Sequence, residues 1–532
     1  MRLIRSLDAD RPLAWRRLFL VTLVVVTLLR AGVSAVFPFT GDEAYFHLWG
    51  QVPDWGFYDH PPMIGWWMAA LLQVSDHPVV LRAPAVLVPV VIALATRVAL
   101  ARLGPVIAWG TATLLLLVPL NALNVAITND VPLMLFVFLA MLAYLRALRT
   151  GRSVDYLLAG ALLGGALLSK YFAVLFASAL CGHRLCSRAP GRWRALALMA
   201  AGSAPAVAIQ VGWNAAHCWP NVMFNVVNRH DDAAVSWETP LLYGLSLAWV
   251  LGLPVLVGWL RAVGSRHGAG VGRGDWARER DAALAWMTVL PFGVLAVVSI
   301  ARTVGLHWLA AFVAPAVWLF VLRAADGGPD AVARRLRGAI GFALAVAVLQ
   351  WVALAALVFA PLERLAEWRN EPGVVLALHG DELIAKLEPW RDGRTWATDS
   401  YSTSAILGFA DRARRTGPGD RVIVFGPGSR YARQDDLLTD FRSLAGRDLL
   451  LVLKEAPDAG RWEPYFDRIE HRTVTVRGAA FHLVVGSGLR YDVYRDDVLD
   501  WIRQRWYALP PWLPSRTCFF CERYFPERAC HR

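Results

Sequence analysis

Lysine is nearly missing from this chain: Lys170, Lys386 and Lys454 are its three occurrences in 532 residues. Charged residues of all kinds make up 18%, against 56% hydrophobic, and that shortage excludes an ordinary soluble protein. Internal repeats and low-complexity segments are absent as well, which removes the paired inverted halves that many transporters carry. Cysteine offers a single CxxC unit, Cys518 to Cys521, where zinc modules readable from spacing show two. The stretch 37–67 has no Lys or Arg at all, although it holds Asp42, Glu43, Asp54 and Asp59 with His47 and His60.

What is present is apolar sequence in long runs through the first 360 residues, the pattern of a multi-span membrane protein. The net charge of +12 does not point to nucleic acid, because arginines cluster in alternate loops between apolar runs, as the positive-inside rule requires. Spans are predicted at 18–37, 79–101, 105–127, 131–149, 154–169, 171–187, 195–213, 240–261, 281–302, 306–323 and 338–360. About eleven crossings put every basic loop beside a cytosolic N-terminus. Val33-Ser34-Ala35 resembles a signal cleavage site, but the first run is long for a signal core and Arg30 interrupts its far end, so an uncleaved helix is expected. The opposite, outer side then receives the first loop (about 38–78), the turns at Asp130, Lys170 and His307, and the 214–239 loop.

After Leu362 charge becomes frequent and short β-like runs appear at 421–425, 448–454, 471–476 and 480–485, with helix-like stretches at 404–415 and 436–444. The chain is therefore read as a transmembrane domain, 1–361, followed by a small extracytoplasmic α/β domain, 362–532. Phe425-Gly426-Pro427-Gly428-Ser429 reads as an ordinary turn, since its glycine pattern is incomplete and Pro427 removes an N–H donor. Cys518, Cys521 and Cys530 with His531 leave zinc or a disulfide open. Cys181, Cys186 and Cys218 read as small apolar residues of membrane helices.

Carboxylates held at a bilayer without basic partners must bind something or titrate, so the first loop is the expected centre of chemistry. Asp59 before Pro61 and Pro62, and Asp130 before an apolar run, read equally as helix N-caps. Lys170 reads as a site cation or a snorkelling anchor. The 214–239 loop adds His217, Arg229 and His230. Asp59 with His217 or His230 would suit a divalent ion such as zinc, manganese or magnesium, although no short ligand spacing supports one. Carboxylates, cations and apolar walls on one face suit a reaction on a lipid phosphate.

GDEAYFHLWGQVPDWGFYDHPPMIGWW, ITNDVPLMLF, GALLSKYFAV and VGWNAAHCWPNVMFNVVNRH occur in order over residues 10–360. Together they resemble the bacterial membrane glycosyltransferases of family 39, relatives of the dolichyl-phosphate-mannose protein mannosyltransferases and the lipid A aminoarabinose transferases. The resemblance implies the polytopic α-helical GT-C fold in the bacterial inner membrane. It also implies inverting transfer from a polyprenyl-phosphate sugar to a hydroxyl of a lipid, glycan or protein on the outer face, with no cofactor required and no nucleic-acid partner. By resemblance Asp42 acts on the acceptor hydroxyl, Asp130 is the acid of the second motif, and Lys170 lies near the donor phosphate. Arg229 and His230 are expected to assist Lys170, while Glu43, Tyr45, Asp59 and His60 position substrate. His60 departs from the family, where aminoarabinose transferases have lysine after the acid. A transporter of lipid-linked sugars is the rival from another class.

Overall fold

The computed structural model describes residues 7–187, 190–228, 235–264, 274–358, 371–391, 393–414, 421–514 and 518–528, without the side chains of 122, 123, 357, 358 and 371. Contacts divide the chain into two units that do not follow chain order. A helical unit comprises Met1–Phe37, Ser75–Ala208 and Ala233–Val358, and a second unit comprises Pro38–Val74, Ile209–Asp232 and Phe359–Arg532. The division expected at residue 361 thus differs from the observed one: the first loop and the 209–232 segment pack with the C-terminal residues.

In the helical unit, seven helices among the described residues are long and apolar enough to cross a bilayer: Pro12–Val36, Pro78–Ala99, Asp130–Thr150, Arg192–Ala216, Asp275–Ser299, Leu306–Gly327 and Pro329–Ala356. Glu238–Leu251 and Leu253–Gly264 make an eighth if taken as one span, although they bend by 103° at Gly252, whose φ of 78° lies in the left-handed region. Pro105–Leu117, Ser153–Ser169 and Ala173–Cys186 are shorter apolar helices, so length and composition do not reach the eleven spans expected. The span expected at 105–127 is cut between Leu117 and Pro119, because proline cannot continue the preceding helix.

Broken helices inside an apolar unit need donors for their freed carbonyls. Arg30, 2% exposed, supplies them: its guanidinium donates to the carbonyls of Asn121, of Ala85 at 2.6 Å and of Asn124 at 2.7 Å. Buried Arg82 does the same for the end of the first helix, donating to the carbonyls of Ser34 at 3.0 Å and Phe37 at 2.7 Å. These two arginines do not set topology; they replace hydrogen bonds that water would otherwise make.

The basic loops gather at one end. Ala9, Gly104, Arg280, Asp326 and Pro329 line a common cavity of about 500 Å³. Arg337 pairs with Asp8 at 2.6 Å, Arg323 with Asp281 at 3.3 Å, and Ser187 donates to Glu279 at 3.0 Å. Alternation of the loops, as read from arginine placement, is therefore realised in space.

The second unit is built on a five-stranded sheet: β1 Arg394–Thr398, β2 Ile423–Val424, β3 Asp448–Leu453, β4 Phe466–Val476 and β5 Ala479–Leu489. Their order is β2-β1-β3-β5-β4. β1 runs parallel to β2 and β3, whereas β5 pairs antiparallel with β3 and β4. Arg477 and Gly478 turn the β4–β5 hairpin with φ of 49° and 89°, the positive pair that matches strand twist. Both sheet faces are covered. Leu449, Leu451 and Leu453 join Cys218, Met223 and Phe520 on one side, while Leu450 and Val452 join Leu383 and Ile384 on the other. Side chains alternate along β3, so its unbroken apolar run serves two cores.

Candidate active site

The helix Gly41–Gln51 opens with a reciprocal cap. Thr40 Oγ1 accepts from the Glu43 N–H at 3.3 Å, and the Glu43 carboxylate accepts from the Thr40 N–H at 3.0 Å. Glu43 is fully buried in this cap. Asp42 sits in the same first turn, where helix N–H groups stabilise an anionic side chain. Gly41 admits a close neighbour: a Cβ there would stand 3.1 Å from that of Ser402. The neighbour is the helix Tyr401–Ala410, fixed by Phe39 stacked on Phe409 at 4.2 Å.

That packing brings Tyr401 within reach of the Asp42 charge. Burial, then the charges of Asp42 and Asp59, push its pKa well above the ordinary tyrosine value, so Tyr401 stays a protonated donor. Tyr45 is raised further by burial first and then by Asp59. Its ring meets Tyr401 at 5.3 Å and its hydroxyl donates to the Tyr431 carbonyl at 3.2 Å. Two carboxylates and a set of neutral tyrosines thus share one neighbourhood, with Asp42 and Asp59 both acting on Tyr401.

Asp59 belongs to a turn pinned from three sides. The Phe57 N–H donates to the His60 carbonyl at 3.0 Å, the Tyr58 N–H to Gln434 at 2.7 Å, and Asn221 to the carbonyls of Phe57 at 2.6 Å and Tyr58 at 2.8 Å. The following helix, Met63–Leu72, takes Pro62 as its N-cap without a side-chain bond, so the capping role open to Asp59 is not realised. His60 Nε2 lies 3.8 Å from Asp59, against the rings of Trp49 and Phe46. Beyond Gln434, buried Arg433 pairs with Asp436 at 2.9 Å and Arg421 with Asp435 at 3.0 Å. Burial raises the carboxyl of Asp435 and pushes that of Asp436 up to about 6 despite its arginine.

In the helical unit, Asp130 and Lys170 form one object. Lys170 ends the helix Ser153–Ser169, and its ammonium donates to both Asp130 oxygens at 2.8 Å. The pair is 1% and 7% exposed. Asp130 makes no side-chain cap, since Asn129 holds that position without one, and Lys170 turns inward to its partner and does not snorkel. His307 Nε2 is 4.0 Å from Asp130, and the Lys170 ammonium stands 5.2 Å from the Phe172 ring.

Other expected residues fare differently. His217 stacks on Trp213 at 4.5 Å, with Nδ1 2.8 Å from the Trp213 carbonyl. No group of three metal-binding side chains occurs among the described residues, so Asp59 and His217 do not by themselves make a metal site. Arg229 and His230 lie outside the described residues, as do Cys530 and His531. Cys218, expected as an apolar helix residue, is disulfide-bonded to Cys518, and Cys521 is also disulfide-bonded; Cys518 is therefore no zinc ligand here. The 425–429 segment is a turn whose Gly426 N–H donates to Tyr494 at 2.9 Å, which leaves that donor committed within the fold.

Tyr401, Tyr431, Gln434 and Arg433 escaped the sequence reading. They lie more than 300 residues beyond the loop they surround, and no spacing rule links segments that far apart. The one available signal was the aromatic start of the 401–410 helix, which by itself reads as packing.

Residues 59–213 match the family model described as dolichyl-phosphate-mannose-protein mannosyltransferase. The lipid A galacturonosyltransferase RgtD of Rhizobium johnstonii (strain DSM 114642 / LMG 32736 / 3841) is 33% identical over 201 residues, or 36% of this chain and 39% of that protein. The matched stretch thus spans about two fifths of that relative's length. The crystal structure of ArnT from Cupriavidus metallidurans bound to undecaprenyl phosphate superposes with a TM-score of 0.57 at 15% identity, over 87% of this chain and 97% of that one. The chain has the GT-C glycosyltransferase fold. Within that fold, the family model begins at Asp59 and includes both Asp130 and Lys170. The resemblance read from the four sequence motifs therefore holds for the fold and for the glycosyltransferase kinship.

Proposed function

We propose that the chain transfers a sugar, with inversion, from a polyprenyl-phosphate donor to a hydroxyl of an envelope lipid on the outer face of the bacterial inner membrane. The observation that carries the reading is Asp42, in the first turn of a capped helix, with its charge acting on the protonated Tyr401. In a single displacement the acceptor oxygen forms a bond to the anomeric carbon while the bond from that carbon to the phosphate oxygen breaks. Asp42 takes the acceptor proton, and the lipid phosphate leaves with the bonding electrons. Lipid phosphate is a competent leaving group, so no general acid is needed.

Lys170 is assigned to the donor phosphate and Asp130 to holding its ammonium in place. Asp59, His60 and Tyr45 position substrate; Glu43 serves the helix cap that presents Asp42. A lipid acceptor is favoured because RgtD is a lipid A galacturonosyltransferase, and a polyprenyl-phosphate donor because ArnT was solved with undecaprenyl phosphate. Placement of the second unit outside the cytosol is supported by its disulfide chemistry, which persists in oxidising compartments. The transporter reading has one bent helix pair in its favour, with no second such pair among the described residues.

Purified protein in nanodiscs, given a polyprenyl-phosphate sugar and lipid A, should release polyprenyl phosphate and yield glycosylated lipid. Movement of the donor across vesicles without product would overturn the assignment. The same assay after exhaustive chelation tests the expectation that no metal is required.

A further inference from the structure

At the end of the helical unit where the basic loops meet lies a second cavity, of about 400 Å³. Arg261, from the last turn of Leu253–Gly264, and Arg334 and Arg335, from the start of Pro329–Val358, line it with Leu253, Val257 and Phe320. No carboxylate contributes to the wall. Neighbouring arginines at this end have partners: Arg280 and Arg323 share Asp281, Arg337 takes Asp8, and Arg184 takes Glu279. Among the described residues, these three do not pair with a carboxylate. Three cations gathered without an acid repel one another and favour an anion between them.

The rest of the groove says what kind of anion. Its floor is Phe320, packed into a notch that only glycine allows: a Cβ on Gly258 would stand 2.3 Å from the Phe320 ring. Opposite, a Cβ on Gly338 would meet nothing within 4 Å, so the groove is open on that side. A soluble anion has no use for a wall of Leu253, Val257 and Phe320. An amphiphile has, because its chain lies against apolar side chains while its headgroup meets the arginines.

We infer that this groove holds an anionic glycerophospholipid of the adjoining leaflet, its phosphodiester among Arg261, Arg334 and Arg335 and an acyl chain along Val257 and Phe320. Guanidinium matches phosphate oxygens in geometry as well as charge, and basic pockets between spanning helices suit such headgroups. The assignment is independent of the glycosyl-transfer reading, since it uses none of the residues proposed for that chemistry.

The test is native mass spectrometry and thermal melting of the full chain with phosphatidylglycerol, phosphatidylcholine, inorganic phosphate or polyprenyl phosphate added. Phosphatidylglycerol should bind and stabilise, and the triple substitution R261Q/R334Q/R335Q should weaken it roughly a hundredfold, about fivefold per arginine. Gly338→Leu provides the second arm: it keeps every charge, suits a helix, and should exclude the acyl chain and reduce binding. Equal binding of phosphatidylcholine, or equal protection by inorganic phosphate, would overturn the proposal. So would preference of these arginines for polyprenyl phosphate, or phosphatidylglycerol binding that ignores both the triple variant and Gly338→Leu.

Discussion

Asp42 and Asp130 are both acids in the first turn of a helix, yet their surroundings differ in kind. Asp42 acts on a tyrosine, Tyr401, whose proton is held by burial and by the charges of Asp42 and Asp59. Asp130 is clamped by an ammonium at 2.8 Å on both oxygens. In the proposed mechanism Asp42 takes the acceptor proton and Asp130 fixes a lysine. Sequence motifs, which contain both acids, give them the same standing.

The largest expected effect breaks the comparison on the Asp42 side. Asp42→Asn keeps shape and the Tyr401 contact but removes the base, so turnover of bound donor should fall about 10²–10⁴-fold, with donor affinity retained. Single-turnover rates beside a donor-binding measurement decide it; near-normal turnover would remove Asp42 from this role.

On the other side, Lys170→Met should lower use of the donor about ten- to a hundredfold. It also strands a buried carboxylate, so the chain should lose about 3–5 kcal/mol of stability. The double variant Lys170→Met with Asp130→Asn distinguishes the two effects. Thermal melting should recover, while donor use should not; full kinetic recovery would make the pair a structural staple.

Tyr401→Phe sharpens the contrast with a smaller change. Removing the hydroxyl that senses the Asp42 charge should reduce turnover by about tenfold, with its pH profile displaced because a polar neighbour of the carboxylate is lost. An unchanged profile would mean that Tyr401 does not tune Asp42.

The smallest effect is on stability and follows from Asp436. Its carboxyl is pushed up to about 6 in the fold from an ordinary 3.8, so the folded state binds a proton more readily than the unfolded chain. The stability it contributes is present in full below about pH 3.8 and is lost as pH rises through about 6. Melting of Asp436→Asn across pH 4–7 should show that part of the slope flattened; an identical slope would contradict the assignment.

How much of this was legible depended on the range of each signal. Short-range grammar survived well. Arginine placement yielded the sidedness of the loops, and the short apolar runs yielded β2, β3 and parts of β4 and β5. β1 was missed because Arg394–Thr398 carries little apolar pattern, and its strand character comes from lying between β2 and β3. The spans at 105–127 and 240–261 were drawn straight because hydropathy averages over a break, while Pro119 and Gly252 act at single residues. Arg30 and Arg82 could not be read as carbonyl donors without knowing which helices end beside them.

By itself the sequence determined a multi-span helical chain, the end at which its basic loops collect, and kinship to GT-C glycosyltransferases. These are local or compositional properties, set by transfer free energy and by the motifs' own residues. Only the tertiary structure decided that Tyr401 lies within reach of the Asp42 charge, that Lys170 belongs to Asp130, that Glu43 is part of a cap and that Cys218 joins Cys518. Each is a contact between residues separated by tens to hundreds of positions, except Glu43, whose choice between cap and substrate depends on where its helix begins. Such contacts are fixed by packing of one element against another, and packing leaves no periodic trace in the chain.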